Sequence, residues 1–501
     1  MRFNFSRRRK YFVAILLIPL AALFFLTRPG LHLIKVALRD VDELLPLPAG
    51  YLDDASRMNA TRVAEVWPIP ADADLAETQL AELLARARKE KLNVGIAGAR
   101  HTMGGHTISP EGIVIDMLPL KGLSLDEDQN TLTVQAGARW ADVLPFLDRH
   151  GRSVAVMQSN NSFTVGGSIS ANCHGWQFGE PPIASTVKSF RIMLADGSIK
   201  RCSRDENNEL FSLALGGYGL FGIILDVDLH VVPNERYRLE QFVVPALNGM
   251  ATFDERIRDR EDVAMAYGRL CVTPSHFLDH AIINVLYVDP AAEGVLPPLE
   301  EAQASSLRRS MFRGSVGDDY GKELRWAAEA KLQPHLNHSH FSRNQLLNEG
   351  VEVFQNRSAS STDILHEYFV PREGIPQFVR AVQRIVPEHH ADLLNVTVRH
   401  VAEDRDTLLR YADREMFAFV MLFNQRTNSA GDAAMEATTR ELIDAALAVG
   451  GRYYLPYRLH ASAAQFKQAY PQAAEFFARK RHYDPDELFQ NRFYQKYGRG
   501  N

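Results

Sequence analysis

Apolar residues recur three and four apart through "LAETQLAELLARARKEKL" (75–92), a stretch that closes on cations, so the pattern predicts a helix there. The next run, "NVGIAG" (93–98), is short and nearly continuous in apolar character, as in a buried strand. "GIVIDMLPL" (112–120), "TLTVQAGA" (131–138) and "KSFRIMLADGSIKRC" (188–202) predict further strands, the last folded on a D-G turn into a hairpin. Between them "WADVLPFLDRHG" (140–151) predicts a helix with a glycine stop. Helices and strands therefore alternate through 66–237.

From 238 to 445 the texture changes. "HAIINVLYVDP", "TDILHEYFVP", "DLLNVTVRHV" and "EMFAFVMLFN" predict strands, and "IPQFVRAVQRIV" and "AAMEATTRELIDAALAVGG" predict helices. The expectation is a second domain on a largely antiparallel sheet with covering helices, which makes the fold class α+β. A charged, helical stretch at 306–332 shows no chemistry and reads as a surface excursion or a membrane-apposed face. The tail, 446–501, is aromatic and lacks a disorder signature, so something must hold it down.

The N-terminus carries an address. Four cations, Arg7 to Lys10, precede Tyr11–Leu26, a run of 16 residues without a charge, and no A-x-A-like cleavage site follows. The reading is an uncleaved anchor in 1–40, although at ~1.5 Å per residue the run falls short of a ~30 Å hydrocarbon core without its flanks. Cations stay cytoplasmic by the positive-inside rule. The expectation is a protein on a bacterial inner membrane with its catalytic part in the periplasm, 41–65 serving as a linker.

Length and composition limit the rest. A chain of 501 residues suits two or three domains, and 46% hydrophobic with 23% charged residues is globular. A net charge of −5 argues against a nucleic-acid partner. Cys173, Cys202 and Cys271 share no C-x-x-C spacing, so neither a disulfide framework nor a zinc site is expected, and no metal is called for.

Three glycine-rich passages carry the chemistry. The first, "GIAGARHTMGGHT" (95–107), places Gly98, Gly104 and Gly105 in a loop after a strand, where backbone amides can face an anion. The second is "SNNSFTVGGSISANCHGW" (159–176) and the third "LFSLALGGYGLFGIILDVDLHVVP" (210–233). Each alone is weak, and neither a Walker nor a Rossmann fingerprint is present. Their order and spacing are more specific.

In that order the passages resemble the vanillyl-alcohol oxidase/PCMH family of FAD-dependent oxidoreductases. "GARHT" is similar to its first phosphate loop, "TVGGSISANCHG" to its second segment, "NNELFSLALGGYGLFGIILDVDL" to its third block, and "HYDPDELFQNRFYQKY" to its closing motif. The resemblance implies a PCMH-type two-subdomain FAD-binding domain at 66–237, a cap domain at 238–445 and a returning tail at 446–501. It also implies cofactor contacts. Gly98, Ala99, Arg100, His101, Thr102, Gly104, Gly105, His106 and Thr107 fall in the first loop. Thr164, Gly166, Gly167, Ser168, Ser170, Asn172, His174 and Gly175 fall in the second segment. Gly217, Gly222 and Ile223 fall in the third, and Asn491 in the closing motif. His101 matches the family histidine that often joins covalently to the flavin. His174 is expected to hydrogen-bond near the ring, and Cys173 to be a buried small residue.

Oxidising a C–H beside a hydroxyl needs a flavin to take the hydride, a base for the proton and a donor near flavin N1. "NVTVRHV" resembles the alditol and aldonolactone oxidase branch. Arg399 matches that branch's inward arginine, and Thr397, two residues earlier on the same face, stands where the branch has a glutamate. "GGRYYLPYRLHASAAQFKQAYP" is similar to the decaprenylphosphoryl-ribose oxidase tail, with Tyr457 at a lysine position; His460 is a further candidate for contact with substrate. The function expected is FAD-linked oxidation of a sugar lactone, polyol or glycosyl-lipid, with a quinone, cytochrome or O2 as acceptor. A sterol-like double-bond reductase and a noncatalytic flavin-binding protein are the alternatives.

Overall fold

The computed structural model describes residues 27–289, 296, 299–300, 306–332 and 341–499. It opens with a parallel unit in which strand Ile113–Asp116 lies between Glu65–Pro68 and Val94–Ala97. The predicted first helix spans Ala73–Glu90. Asp72 caps it by accepting from Leu75 N at 2.9 Å, and Ala76, Leu80, Leu83, Leu84 and Ala87 form its buried face. The chain leaves through Lys91 in the left-handed region.

Past Asp116 the pairing becomes antiparallel. Five strands run in the order Ile199–Ser203, Val187–Met193, Ile223–Pro233, Thr131–Gln135 and Leu123–Asp126, and Arg152–Val154 pairs with the far end of Ile223–Pro233. The alternation over 66–237 thus yields one parallel unit only, because links such as Asp126 to Thr131 are too short for a crossover. The hairpin at 188–202 forms, with Gly197 of its D-G turn at φ +86°.

An eight-stranded antiparallel sheet begins at Arg236. Its order is Phe341–Ser342, Arg236–Pro245, His280–Val288, Val263–Leu270, Asp392–Val401, Met416–Arg426, Ser361–Val370 and Arg452–Tyr453. Helix Ser429–Ala448 packs on the Met416–Arg426 and Ser361–Val370 strands and against helix Ile375–Glu388. The stretch 306–332 contributes helices Ser306–Arg313 and Asp319–Ala327.

The tail folds back onto the first unit. Val94 N donates to the Leu488 carbonyl at 2.8 Å, and Gln490 N to the Val94 carbonyl at 3.0 Å. Behind this contact Lys480 and Asp484 form an ion pair with 0% exposure on both sides, and Asp484 also accepts from Leu488 N and Phe489 N. This is what holds the aromatic tail.

The run Tyr11–Leu26, which carries the anchor expectation, lies outside the described residues. Among the described residues no helix is long and apolar enough to cross a membrane. Residues 27–39 form a helix docked on the Ser306–Arg313 region, where Arg309 pairs with Asp40 and Arg28 lies over the Tyr320 ring.

Candidate active site

The first glycine loop is built by close approach. A Cβ at Gly98 would sit 2.1 Å from Thr164 Oγ1, and one at Gly104 2.5 Å from the Tyr457 carbonyl. The loop therefore lies directly against the second segment and the tail. Arg100 has φ +54°, a position where the family pattern has glycine. Gly105 N donates to Asp54 Oδ2 at 2.7 Å, and Met103 N to the Pro456 carbonyl at 2.8 Å.

The other passages join the same place. Thr164 caps the short helix Val165–Ser170, and Ser168 accepts from Trp140 Nε1 and donates to Gln158 Oε1. Asn172, at φ +53°, donates to Asp404 and accepts from Ala184 N. Its carbonyl receives the Tyr411 hydroxyl at 2.6 Å. Gly175 has no room for a side chain, since a Cβ would meet the Met157 carbonyl at 2.0 Å, and Gly222 would meet the Met193 carbonyl at 2.5 Å just before Ile223 enters its strand. Asn491 donates to the Tyr218 carbonyl at 2.9 Å and caps helix Arg492–Tyr497, which braces the third passage.

The centre of the site is a residue that the sequence did not single out. Glu367, 4% exposed on the Ser361–Val370 strand, accepts from the Tyr457 hydroxyl at 3.0 Å on Oε2. Its Oε1 makes a short contact with His174 Nε2. The second segment, the cap sheet and the tail thus meet on one buried carboxylate. Burial, and then the Glu367 charge, hold the Tyr457 phenol well above its ordinary pKa. Tyr411 and Tyr454, which border His174, are raised in the same way, again with burial foremost.

Arg399 reaches this site. It donates to Ser159 Oγ at 3.1 Å, and the Glu367 charge opposes the lowering that burial imposes on its guanidinium. Thr397 lies on the same strand and face, and its hydroxyl accepts from Asn395 at 3.0 Å. His460 sits elsewhere, bonded to Asp432 and Thr439 beside Arg458.

The two histidines of the first loop separate cleanly. His101 stacks on Phe163 with ring centroids 4.3 Å apart, and burial pushes its pKa down to about 4. His106 is 4% exposed between Tyr218 and Phe493, and burial pushes it to about 3. The Leu455 backbone faces the His106 ring without meeting hydrogen-bond geometry. Cys173 is a buried free thiol, raised to about 12 by burial.

Several buried polar atoms in these elements have no protein partner: Thr102 Oγ1, Thr107 Oγ1, His174 Nδ1, Trp176 Nε1, both Gln177 amide atoms and Arg399 Nε. Each such atom costs ~1–3 kcal/mol unless something bonds it. Their place on or beside the first and second glycine passages and on the Arg399 strand fits a ligand rich in hydrogen-bonding atoms, as FAD is. Asp54, which organises the first loop, was not legible either, because it lies in the stretch read as a linker.

Residues 76–203 match the family described as "FAD binding domain", and residues 302–497 the family described as "D-arabinono-1,4-lactone oxidase". The chain is 32% identical over 160 residues to L-gulonolactone oxidase of Mus musculus, covering 31% of this chain and 35% of that protein. It is 34% identical over 161 residues to mitochondrial L-galactono-1,4-lactone dehydrogenase 2 of Oryza sativa subsp. japonica, covering 32% and 27%. A longer alignment, 24% identical over 414 residues, covers 81% of this chain and 88% of an uncharacterised oxidoreductase from the fasciation locus of Rhodococcoides fascians. The alignments to the mammalian gulonolactone oxidases span about a third of those proteins, 35% and 38% of their lengths.

Proposed function

We propose that the chain, with its match to an FAD-binding family over 76–203 and to a D-arabinono-1,4-lactone oxidase family over 302–497, is a PCMH-type FAD-linked oxidase or dehydrogenase of the aldonolactone-oxidase kind, acting on a CH–OH group of a small molecule. Bound FAD supplies the two-electron acceptor. The observation that carries the reading is the buried Tyr457–Glu367–His174 chain beside Arg399. A structural flavin-binding protein has no need of a desolvated carboxylate joining three separate elements.

These residues provide a route for the hydroxyl proton. Tyr457, kept neutral by its raised pKa, offers an oxygen lone pair to the substrate hydroxyl while its own proton lies on the bond to Glu367. A proton accepted at Tyr457 Oη is then passed to Glu367 Oε2, and the phenol never has to ionise. With Glu367 as acceptor, His174 Nε2 carries the hydrogen and its tautomer is fixed. Arg399 holds positive charge where the site gains electrons. The alkanol is oxidised to a carbonyl as its C–H hydrogen leaves with the electron pair.

His101 is the residue proposed to carry the flavin covalently. Its ring is neutral at physiological pH, lies flat on Phe163, and so presents a nucleophilic nitrogen in a fixed orientation. The substrate class is tested by adding aldonolactones and polyols anaerobically to the FAD-loaded protein. Flavin bleaching with one class, abolished in Glu367→Gln at unchanged FAD content, is expected. No bleaching with any member, or full-rate bleaching in the variant, overturns the proposal.

A further inference from the structure

Among the described residues, only one face of the helix over 27–39 is covered. Its inner face docks on the cap domain, where His32 reaches the Gly314 carbonyl at 3.2 Å and Asp40 pairs with Arg309. On the outer face Leu31, Ile34 and Leu38, spaced three and four apart, are 65%, 58% and 75% exposed. The stripe continues past the helix through Val41 at 56% and Leu45 at 86%, and Leu307, on the helix that forms the dock, is 61% exposed. A folded surface rarely leaves so many large aliphatic side chains in a row.

Charge says what covers them. Arg28, Lys35 and Arg39 follow one flank of the helix, and of the three acids between 27 and 45 Asp40 is paired with Arg309, Asp42 accepts from Leu44 N and Glu43 from Ala359 N. Beneath that flank opens a cleft of about 290 Å³, lined by Lys35 and Arg39 together with Arg357 from the cap side and with Arg313, which is itself paired with Asp363. The acids bordering it are engaged too: Glu43 accepts from Ala359 N, and Asp318 caps the helix that starts at Asp319. An aliphatic stripe edged by cations matches the interface of an anionic bilayer, with aliphatic groups among the acyl chains and cations at the headgroups. A second protein surface would have to supply an acidic ridge parallel to an apolar groove.

We propose that helix 27–39 lies in the plane of an anionic membrane surface and fixes the cap domain against it. The helix lies within the surface and does not span it, and the uncharged run Tyr11–Leu26 joins it directly at Thr27. Because the dock is made by the cap, the membrane contact orients the domain that covers the substrate.

The test uses the full chain on vesicles of phosphatidylcholine and phosphatidylglycerol that carry spin-labelled lipid. The three native cysteines are buried, so a fluorophore can be placed at Ile34→Cys or Leu38→Cys, with Leu247→Cys, 76% exposed elsewhere on the cap, as reference. Quenching at positions 34 and 38 several-fold above that at 247, and falling when phosphatidylglycerol is omitted, is expected. Equal quenching at all three positions on vesicle-bound protein overturns the proposal. Concentration-dependent shielding of the 34 label from iodide without vesicles also overturns it, since the occupant is then a second copy.

Discussion

Tyr457 and Glu367 come from separate parts of the chain, one on the returning tail and one on a cap strand, and meet through a 3.0 Å hydrogen bond. Glu367 keeps His174 as its other partner if the phenol is lost. Tyr457→Phe should therefore fold and bind FAD, because one hydrogen bond to a charged group is worth about 1.5–3 kcal/mol. Substrate-dependent flavin reduction should slow by about 10²–10⁴, the range for a positioned proton carrier. Stopped-flow reduction at saturating substrate reads this directly. A loss confined to KM would mean that Tyr457 only binds.

Acid should destabilise the fold in a window set by buried histidines. Burial lowers His106 and His366 from 6.5 to about 3, and each is 4% exposed. Below pH 6.5 the unfolded chain takes up protons that the folded chain refuses until about pH 3. Stability is thus full above 6.5 and is lost as pH falls, by about 1.4 kcal/mol per pH unit for each histidine in that window. Urea unfolding at pH 7, 6 and 5 measures the slope. His366→Asn, which keeps polar atoms for Tyr368 and Thr439, should reduce the slope by one histidine's share whatever its baseline stability.

The glycine passages were legible because their constraint is local: a loop with no room at Gly98, Gly104 or Gly175 shows itself as glycine in the sequence. The strands of the cap were legible for the same reason. Glu367 was not. In "TDILHEYFVP" it is one polar residue in a strand, and its partners lie 193 residues before it and 90 after. Thr397 and His460 carry hydrogen bonds that the sequence could not show: Asn395, two residues earlier on the same strand face, donates to the Thr397 hydroxyl, and Asp432 and Thr439, well before it in the chain, engage the His460 ring.

The Lys480–Asp484 pair makes the tail sensitive to a single charge. Asp484→Asn leaves a cation with 0% exposure facing a neutral amide and weakens acceptance from Leu488 N and Phe489 N. Removing one partner of such a pair costs about 3–5 kcal/mol. Since the same segment carries Asn491, which grips the Tyr218 carbonyl, FAD retention should fall with the melting temperature. Lys480→Met with Asp484→Asn should recover part of the stability, because no charge is then stranded. Thermal melts of the three proteins with and without added FAD decide it.

His101 separates covalent from dissociable flavin without any knowledge of the substrate. The neutral ring stacked on Phe163 is proposed to hold the cofactor by a bond, whereas His106, enclosed by Tyr218 and Phe493, is enclosed by protein on both faces. Acid precipitation of the purified protein should leave the yellow colour in the pellet. In His101→Ala the colour should pass to the supernatant while the folded variant still binds added FAD, since the Thr102 and Thr107 hydroxyls and the glycine passages remain. His106→Gln should keep its colour in the pellet even if it melts earlier. Colour released from the unmutated protein would leave the FAD-binding fold in place and remove the bond, and His101 would then be a packing residue against Phe163.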